Sequence, residues 1–431
     1  MTTQKQEYKE QIGAVQLTLI PSDKYKSNKI VFKFRAPLDR ATSTKRALLA
    51  ALLETNTKKY PTQTAFRKEL ASLYGANFYT SVDKKGDEHV LTAVLDMVDG
   101  QFVPDGDGLL GQAFTLLQEI LFQPNVTDGA FHEATVAREK ENLAQRLESV
   151  YDDKIRYANK RLTEIMFANE NFKYGAAGVL EDIPAITGAD LFAYYQQLLA
   201  EDTIDLFICG DVAKEEVIAH VKALPFTDRA YRPIEAPTPV HPTEVSTVKE
   251  NQPINQGKLV LGYRTNILFG DDAYVPLQLA NGLLGGFSNS KIFINVREKA
   301  SLAYYAHSRL DSFQGFMLIS AGIDEKNYEQ ALAIIEEQVT AMQAGDFAEE
   351  ELAQTKAMLT NQLLEANDQA QGLIELAYNN TLKQANLDLP NWLKRISEVT
   401  KEEVVKAAAS FELDTIYFLS KGADSNAETK L

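Results

Sequence analysis

The chain has one cysteine, Cys209, and five histidines in 431 residues. A lone cysteine forms no internal disulfide, which fits a reducing compartment without establishing one. The histidines, His89, His132, His220, His241 and His307, are scattered, with no two inside a twenty-residue window. Helical zinc motifs need two imidazoles on one face at short spacing, so a local zinc motif is absent. A site assembled from distant residues stays open. Basic charge is also short: 44 Lys and Arg against 60 Asp and Glu leave a net charge of −16. Nucleic acids and anionic membranes select basic surfaces, so neither is expected as a partner. No stretch approaches 18 apolar residues, and the start, Met1 to Glu7, lacks an apolar signal core. The expectation is a cytoplasmic protein with no membrane insertion.

What is present is an ordinary globular composition, 45% apolar and 24% charged, in a chain long enough for two or three domains. Four prolines, Pro233, Pro237, Pro239 and Pro242, fall in ten residues. Proline fixes φ and removes a donor, so this reads as a semi-rigid linker. The expected division is a first domain over 1–226, a linker over 227–256 and a second domain over 257–431.

The flanking halves repeat each other. Asn28-Lys-Ile-Val-Phe-Lys-Phe-Arg35 matches Gly257-Lys-Leu-Val-Leu-Gly-Tyr-Arg264 at an offset of 229, and both alternate as half-buried strands do. An apolar helix follows each, over 47–53 and 277–284. Arg67 and Tyr74 correspond to Arg297 and Tyr304 at 230, and Thr203-Ile-Asp-Leu-Phe-Ile-Cys-Gly-Asp211 matches the segment from Thr415 to Asp424 at 212. The falling offset places about 17 extra residues in the first half, around 98–111. Further strands are expected at 90–95, 316–321 and 416–419, with helices at 111–121, 130–147, 154–168, 189–199, 328–344, 349–367 and 401–410. That order, with few βαβ crossovers, favours an α+β sandwich over a doubly wound sheet.

Two weaker signals have plain readings. Gly285-Gly286 ahead of Ser288, Asn289, Ser290 and Lys291 does not reproduce the phosphate-loop spacing; a turn before a helix capped by Ser288 or Ser290 fits better. Asp105-Gly-Asp-Gly108 lacks the alternate acids of a calcium loop and reads as a surface turn. Cys209, in the apolar run Leu206-Phe-Ile-Cys209, reads as a buried, inert thiol.

The segment Gly285-Gly-Phe-Ser-Asn-Ser-Lys-Ile-Phe-Ile-Asn-Val-Arg297-Glu-Lys-Ala-Ser-Leu-Ala-Tyr304-Tyr305 resembles the second-half signature of the pitrilysin/insulinase family, the inverted zincins, in the mitochondrial-processing-peptidase branch. Thr57-Lys-Lys-Tyr-Pro61, Leu73-Tyr-Gly-Ala76 and Tyr174-Gly-Ala-Ala-Gly178 support it. The resemblance covers essentially the whole chain. It implies two homologous α+β domains, each a mostly antiparallel sheet with helices on one face, forming a clam-like pair around an extended peptide. Active members carry H-x-x-E-H on the first long helix, two zinc ligands and a general base. Aligned on Thr57–Pro61, that motif falls on Ala47, Ala50 and Ala51, and the third ligand, a glutamate in the family, falls at Arg146. The chain is similar to the bacterial members without the zinc motif. Glu139, on the same helix as Arg146, matches a second acidic residue and reads as solvated surface.

By the resemblance, no metal is bound and no peptide is hydrolysed by this chain alone. Arg297 and Tyr304 would still donate to the backbone of a bound peptide near the scissile carbonyl. Their echo in Arg67 and Tyr74 leaves a packing role open, and Tyr305 is the adjacent alternative. Two functions follow. One is the non-catalytic subunit of a two-chain peptidase, whose partner bears H-x-x-E-H and the zinc. The other is a non-hydrolytic peptide-binding or scaffold protein. Among bacterial relatives without the metal motif, the resemblance also brings an association with elongation factor P modification.

Overall fold

The computed structural model describes residues 7–422 and the backbone of 428–430. Residues 1–6, 423–427 and 431, which include most of the N-terminal segment and Asp424 of the repeat, lie outside the described residues. The first-half strands are β1 (Tyr8–Ile12), β2 (Val15–Pro21), β3 (Ser27–Pro37), β4 (Asn77–Lys85), β5 (Glu88–Val98), a short hairpin β6 (Val126–Thr127) and β7 (Ala130–Phe131), and β8 (Thr203–Gly210). Those of the second half are β9 (Ser246–Gln252), β10 (Gly257–Arg264), β11 (Ala303–Asp311), β12 (Phe316–Ile323), β13 (Glu412–Lys421) and β14 (Glu428–Lys430).

The larger sheets repeat one topology. The first runs β1-β2-β8-β3-β5-β4 and the second β11-β12-β10-β13-β9-β14. Reversing the second gives β9-β13-β10-β12-β11, strand for strand the order β2-β8-β3-β5-β4. In each, one pair is parallel, β2 with β8 and β13 with β9, and the other pairs are antiparallel. Only the edge strands β1 and β14 break the correspondence. The duplication is therefore a property of the fold.

Helices α1 (Arg40–Leu53), α2 (Gln63–Ser72), α3 (Leu109–Phe122), α4 (Glu133–Asp152), α5 (Lys154–Met166), α6 (Gly188–Glu201) and α7 (Lys214–Lys222) belong to the first half of the sequence. Helices α8 (Tyr274–Asn281), α9 (Tyr328–Gln343), α10 (Glu349–Asn367), α11 (Ala370–Lys383), α12 (Leu389–Glu398) and α13 (Lys401–Ala408) belong to the second. The extra first-half residues are spread out: the connection from β5 to α3 is longer than that from β12 to α9, and the β6–β7 hairpin lengthens the one from α3 to α4. The hairpin also corrects the expected helix at 130–147, which begins only at Glu133.

On the first sheet, Ile30, Phe32 and Phe34 of β3 point into the helical core with Leu49, Leu117 and Leu191, all at most 1% exposed. The alternate residues Val31, Lys33 and Arg35 face the other way. That second face is not open. The chain divides into two compact units, and Asp368–Tyr378, from the second half, belongs to the first unit. There Lys33 Nζ lies 2.6 Å from Glu375 Oε1 and 4.5 Å from the Tyr378 ring centre. The exchange is mutual, because Val150–Lys173, from the first half, belongs to the second unit. Its helix α5 packs Ala158, Leu162 and Met166 against Val260, Leu318 and Leu419. Tyr157 Oη and Tyr417 Oη both donate to Glu250, each at 2.7 Å. Each sheet thus has its own half's helices on one face and a single helix from the other half on the second.

Residues 227–256, expected as linker, contain β9 at their end. Their earlier part is pinned: Arg232 makes a two-pronged pair with Glu88 at 2.8 and 2.6 Å, and Arg229 donates to the Asp202 carbonyl at 3.0 Å. Cys209 is fully buried, and burial pushes its thiol up to about 12. No helix among the described residues is long and apolar enough to cross a membrane.

Candidate functional site

Helix α1 starts where Asp39 caps it, its Oδ1 accepting from Ala41 N at 2.8 Å. Leu48, Leu49, Leu52 and Leu53 are buried in the core, which turns the stripe Ala47, Ala50 and Ala51 toward α4. The start of α1 is held by the Tyr174–Gly178 element: Val179 N donates to Thr44 Oγ1 at 2.9 Å. Gly178 has φ +84°, and a Cβ there would run into the Thr44 hydroxyl and lie 2.7 Å from the Thr44 backbone nitrogen, so only glycine fits.

The alanine stripe opens onto a cleft of about 360 Å³ whose far wall is α4. Glu139, Asn142 and Arg146 stand three and four residues apart on α4 and line it together. Ala47, Ala50, Ala51 and Arg146 therefore meet in one place. Glu139 is 8% exposed, which corrects its reading as solvated surface. Both its oxygens are engaged, Oε1 by Arg138 Nε at 2.9 Å and Oε2 by Asn142 Nδ2 at 3.0 Å. Burial is tolerated because the carboxylate is paired from its own helix. Two residues absent from the sequence reading complete the floor. Thr80 of β4 donates through Oγ1 to Glu54 Oε1 and to the Ala50 carbonyl, each at 2.8 Å. Glu54 stands one turn past Ala50, a spacing that could have pointed to it.

This donor set does not fit zinc. The alanines offer no ligand atom, Arg146 brings a cation, and the Glu139 oxygens are occupied. No histidine lines the cleft, and no group of three His, Cys, Asp or Glu suited to a metal occurs among the described residues.

The second unit carries a counterpart. Cross-strand register aligns Ile30, Leu95 and Phe78 in the first sheet with Leu259, Ala321 and Ala306 in the second. By the same register Ser308 takes the place of Thr80. Its Oγ lies 2.7 Å from Asn281 Oδ1, at the end of α8, as Thr80 lies against Glu54 at the end of α1. A cleft of about 360 Å³ opens there too, lined by Phe269, Tyr274, Phe287, Phe313 and Arg309 among others. The glycine-rich turn sits beside it, running from α8 through wide i→i+5 helical turns, Gly282–Gly286. The following helix begins at Lys291, so Ser290 stands at its cap position; its carbonyl accepts from Ile294 N at 2.9 Å, but its Oγ is buried without a partner and makes no side-chain cap.

Arg297 and Tyr304 lie in this second unit and do not line either cleft. Arg297 stands on a second wide-turn helix, Phe293–Lys299, with its guanidinium 4.6 Å from the Phe293 ring centre and Nε 3.8 Å from Glu298 Oε1. Tyr304 is 79% exposed, at a bulge of β11 where the register slips between Ala303 and Tyr305. Tyr305 is partly buried over Gly322, and burial raises its phenol well above the ordinary value. Tyr74 does not match Tyr304 in place: it has φ 56° in the turn before β4, with its hydroxyl on the Pro104 carbonyl. The echo of Arg67 and Tyr74 is thus one of sequence spacing, and for the tyrosine not of position.

Residues 185–359 match the Peptidase M16 inactive domain family. The chain is 41% identical over 422 residues to a probable inactive metalloprotease, YmfF, of Bacillus subtilis strain 168, covering 97% of this chain and 98% of that one. The chain belongs to the M16 peptidase family. A conserved protein of Enterococcus faecalis V583 superposes with a TM-score of 0.92 at 40% identity, covering 97% of this chain and all of that structure. AlbE of Bacillus subtilis strain 168, described as an antilisterial bacteriocin subtilosin biosynthesis protein, is 26% identical over 68% of this chain and 72% of its own length. Within the M16 family this chain is a catalytically degenerate homologue, in keeping with its match to the inactive domain and its likeness to a probable inactive metalloprotease.

Proposed function

We propose that this chain is the cytoplasmic, non-catalytic subunit of a two-chain M16 peptidase, and that a homologous partner bearing H-x-x-E-H supplies zinc and base. The observation that carries the reading is the cleft itself. Its scaffold of α1, β4 and α4 is kept, while Ala47, Ala50, Ala51 and Arg146 remove metal ligation. In this reading Arg297 and Tyr304, both exposed, donate hydrogen bonds to the backbone of an extended peptide. The chain alone neither binds zinc nor cleaves.

The test is purification of the tagged chain from its native host with zinc analysis. A second chain of similar size and about one zinc per pair is the expected result. Arg297→Ala should then lower turnover of the pair without preventing assembly, since an exposed arginine adds little to stability, on the order of 0.5 kcal/mol or less. A metal-free chain without such a partner would reject the pairing.

A second reading, a non-hydrolytic peptide-binding or scaffold protein, is favoured by the likeness to AlbE, which is named for a biosynthetic role. The association with elongation factor P modification belongs to this reading. Here no partner restores cleavage, and Arg297→Ala changes peptide binding alone.

A further inference from the structure

The charges around the α1–α4 cleft do not cancel as they would at a metal site. Five charged side chains line it: Arg67, Arg138, Arg146, Glu54 and Glu139. Glu139 is consumed by Arg138 and Asn142. Glu54 faces the floor, where Thr80 donates to it from both hydroxyl and backbone nitrogen. Arg67 and Arg146 are left with no ion pair and no side-chain hydrogen bond among the described residues. In a chain of net charge −16, a cleft of about 360 Å³ with two unpaired guanidinium groups is a local reversal of sign. The substitutions at the metal positions act together: three alanines make room, and arginine in place of a carboxylate changes which ion is welcome.

We infer that this cleft is a carboxylate-binding site in which Arg67 and Arg146 hold an acidic group of a peptide. The chemistry follows from the guanidinium fork, whose parallel N–H donors match the two oxygens of a carboxylate. Arg67 comes from α2 and Arg146 from α4, so a carboxylate between them is held from two walls. Ala47, Ala50 and Ala51 place no polar side-chain atom on the third wall to compete for the guanidinium donors. The carboxylate comes from a Glu or Asp side chain or from a free C-terminus. The peptide part rests on the function proposed above; the carboxylate part does not.

The experiment separates the two. Thermal unfolding of the full chain is followed with glutarate, a bare dicarboxylate, for the wild type and for Arg67→Gln/Arg146→Gln. Fluorescence anisotropy is then read with three labelled peptides of one length: capped with two Glu, capped with two Gln, and the Gln peptide with a free C-terminus. The expected result is a glutarate-dependent rise in Tm that the double variant loses, and at least tenfold tighter binding of one carboxylate-bearing peptide over the capped Gln peptide. Which of the two binds identifies the source. The preference should shrink several-fold in either single variant and weaken with added salt, while capped-Gln binding stays unchanged. A glutarate shift without binding of any peptide upholds the carboxylate site and rejects the peptide reading. No glutarate shift, with equal binding of all three peptides, overturns the inference and leaves peptide binding standing. A glutarate shift that survives in the double variant also overturns it. Circular dichroism of the variants confirms folding, expected because both arginines are exposed.

Discussion

Ser308 Oγ sits 2.7 Å from Asn281 Oδ1, in the relation that Thr80 Oγ1 bears to Glu54 Oε1 at 2.8 Å in the other unit. In both places a strand hydroxyl ties down the end of the helix that forms one wall of a cleft. A carboxylate in one unit and an amide in the other make the same bond, so this contact belongs to the duplicated scaffold.

Gly285 is where that contact leaves least room. A Cβ there would lie 2.6 Å from Ser308 Oγ and 2.7 Å from Ser308 N. The backbone nitrogen cannot swing away as a side chain would. Gly285→Ala should therefore destabilise the protein by about 1–3 kcal/mol, the usual cost of overpacking. Ser308→Ala should not rescue it, since the clash with the nitrogen persists. Chemical unfolding of the three variants checks this, and full rescue by Ser308→Ala would show that only the hydroxyl stands in the way.

Building the inverted-zincin ligand set at the positions the resemblance assigns should take four changes. Ala47→His/Ala50→Glu/Ala51→His supplies two imidazoles and a base but keeps the Arg146 cation at the third position. After dialysis, that triple variant should hold no stoichiometric zinc. Adding Arg146→Glu should bring retention to about one zinc per chain, given three protein ligands and a water. Ala47 and Ala50 are 2% and 4% exposed, so some loss of Tm should accompany the larger side chains. Metal analysis of both variants decides the point: zinc already held by the triple variant would mean that Arg146 does not occupy the third position.

Asp205, on β8 opposite Lys33, should make stability depend on pH. It is fully buried with no hydrogen-bond partner for either oxygen, and burial pushes it up to about 7 against the smaller opposing pull of Arg35 and Lys33. Because the folded value exceeds the unfolded one, the folded state holds the extra proton between about pH 4 and 7. Stability contributed by this group is thus greatest at low pH and falls as pH rises through 7. Asp205→Asn mimics the protonated acid. It should raise stability at pH 8 by on the order of 2 kcal/mol and change little at pH 4.5. Equal Tm differences at the two pH values would contradict the assignment.

The central strands were legible because they are apolar runs: 30–34, 90–95 and 259–263 all fall inside observed strands. The edge strand β4 is mostly polar and half exposed, so its pattern carries little signal. Helix α5 was legible as a helix from Lys154 onward. Nothing local says that its apolar side meets Val260 and Leu419 of the other half, because a helix records that it has a buried face and not which sheet covers it. The alignment of the alanine stripe with Arg146 could be read by resemblance. The burial of Glu139 could not, since it depends on Arg138 and Asn142 turning back onto it. The wide helical turns and the bulge at Tyr304 shift register between the halves. Thr80 and Ser308 are 228 positions apart, against the 230 separating Tyr74 from Tyr304, so their equivalence emerges only from the strand pairing.

The reciprocal exchange of helices also bears on how such a chain could arise. Cut at its prolines, it would give two fragments, each lacking the helix that covers the second face of its own sheet. Neither fragment contains a complete folding unit, yet together they contain two. That is the arrangement of a domain-swapped dimer of half-length chains. Joining the copies end to end replaces an encounter that depends on protein concentration with one inside a single molecule, at an effective concentration in the millimolar range for a short tether. Once tethered, the two copies no longer had to remain identical. One cleft could keep charged groups and the other become aromatic without disturbing assembly.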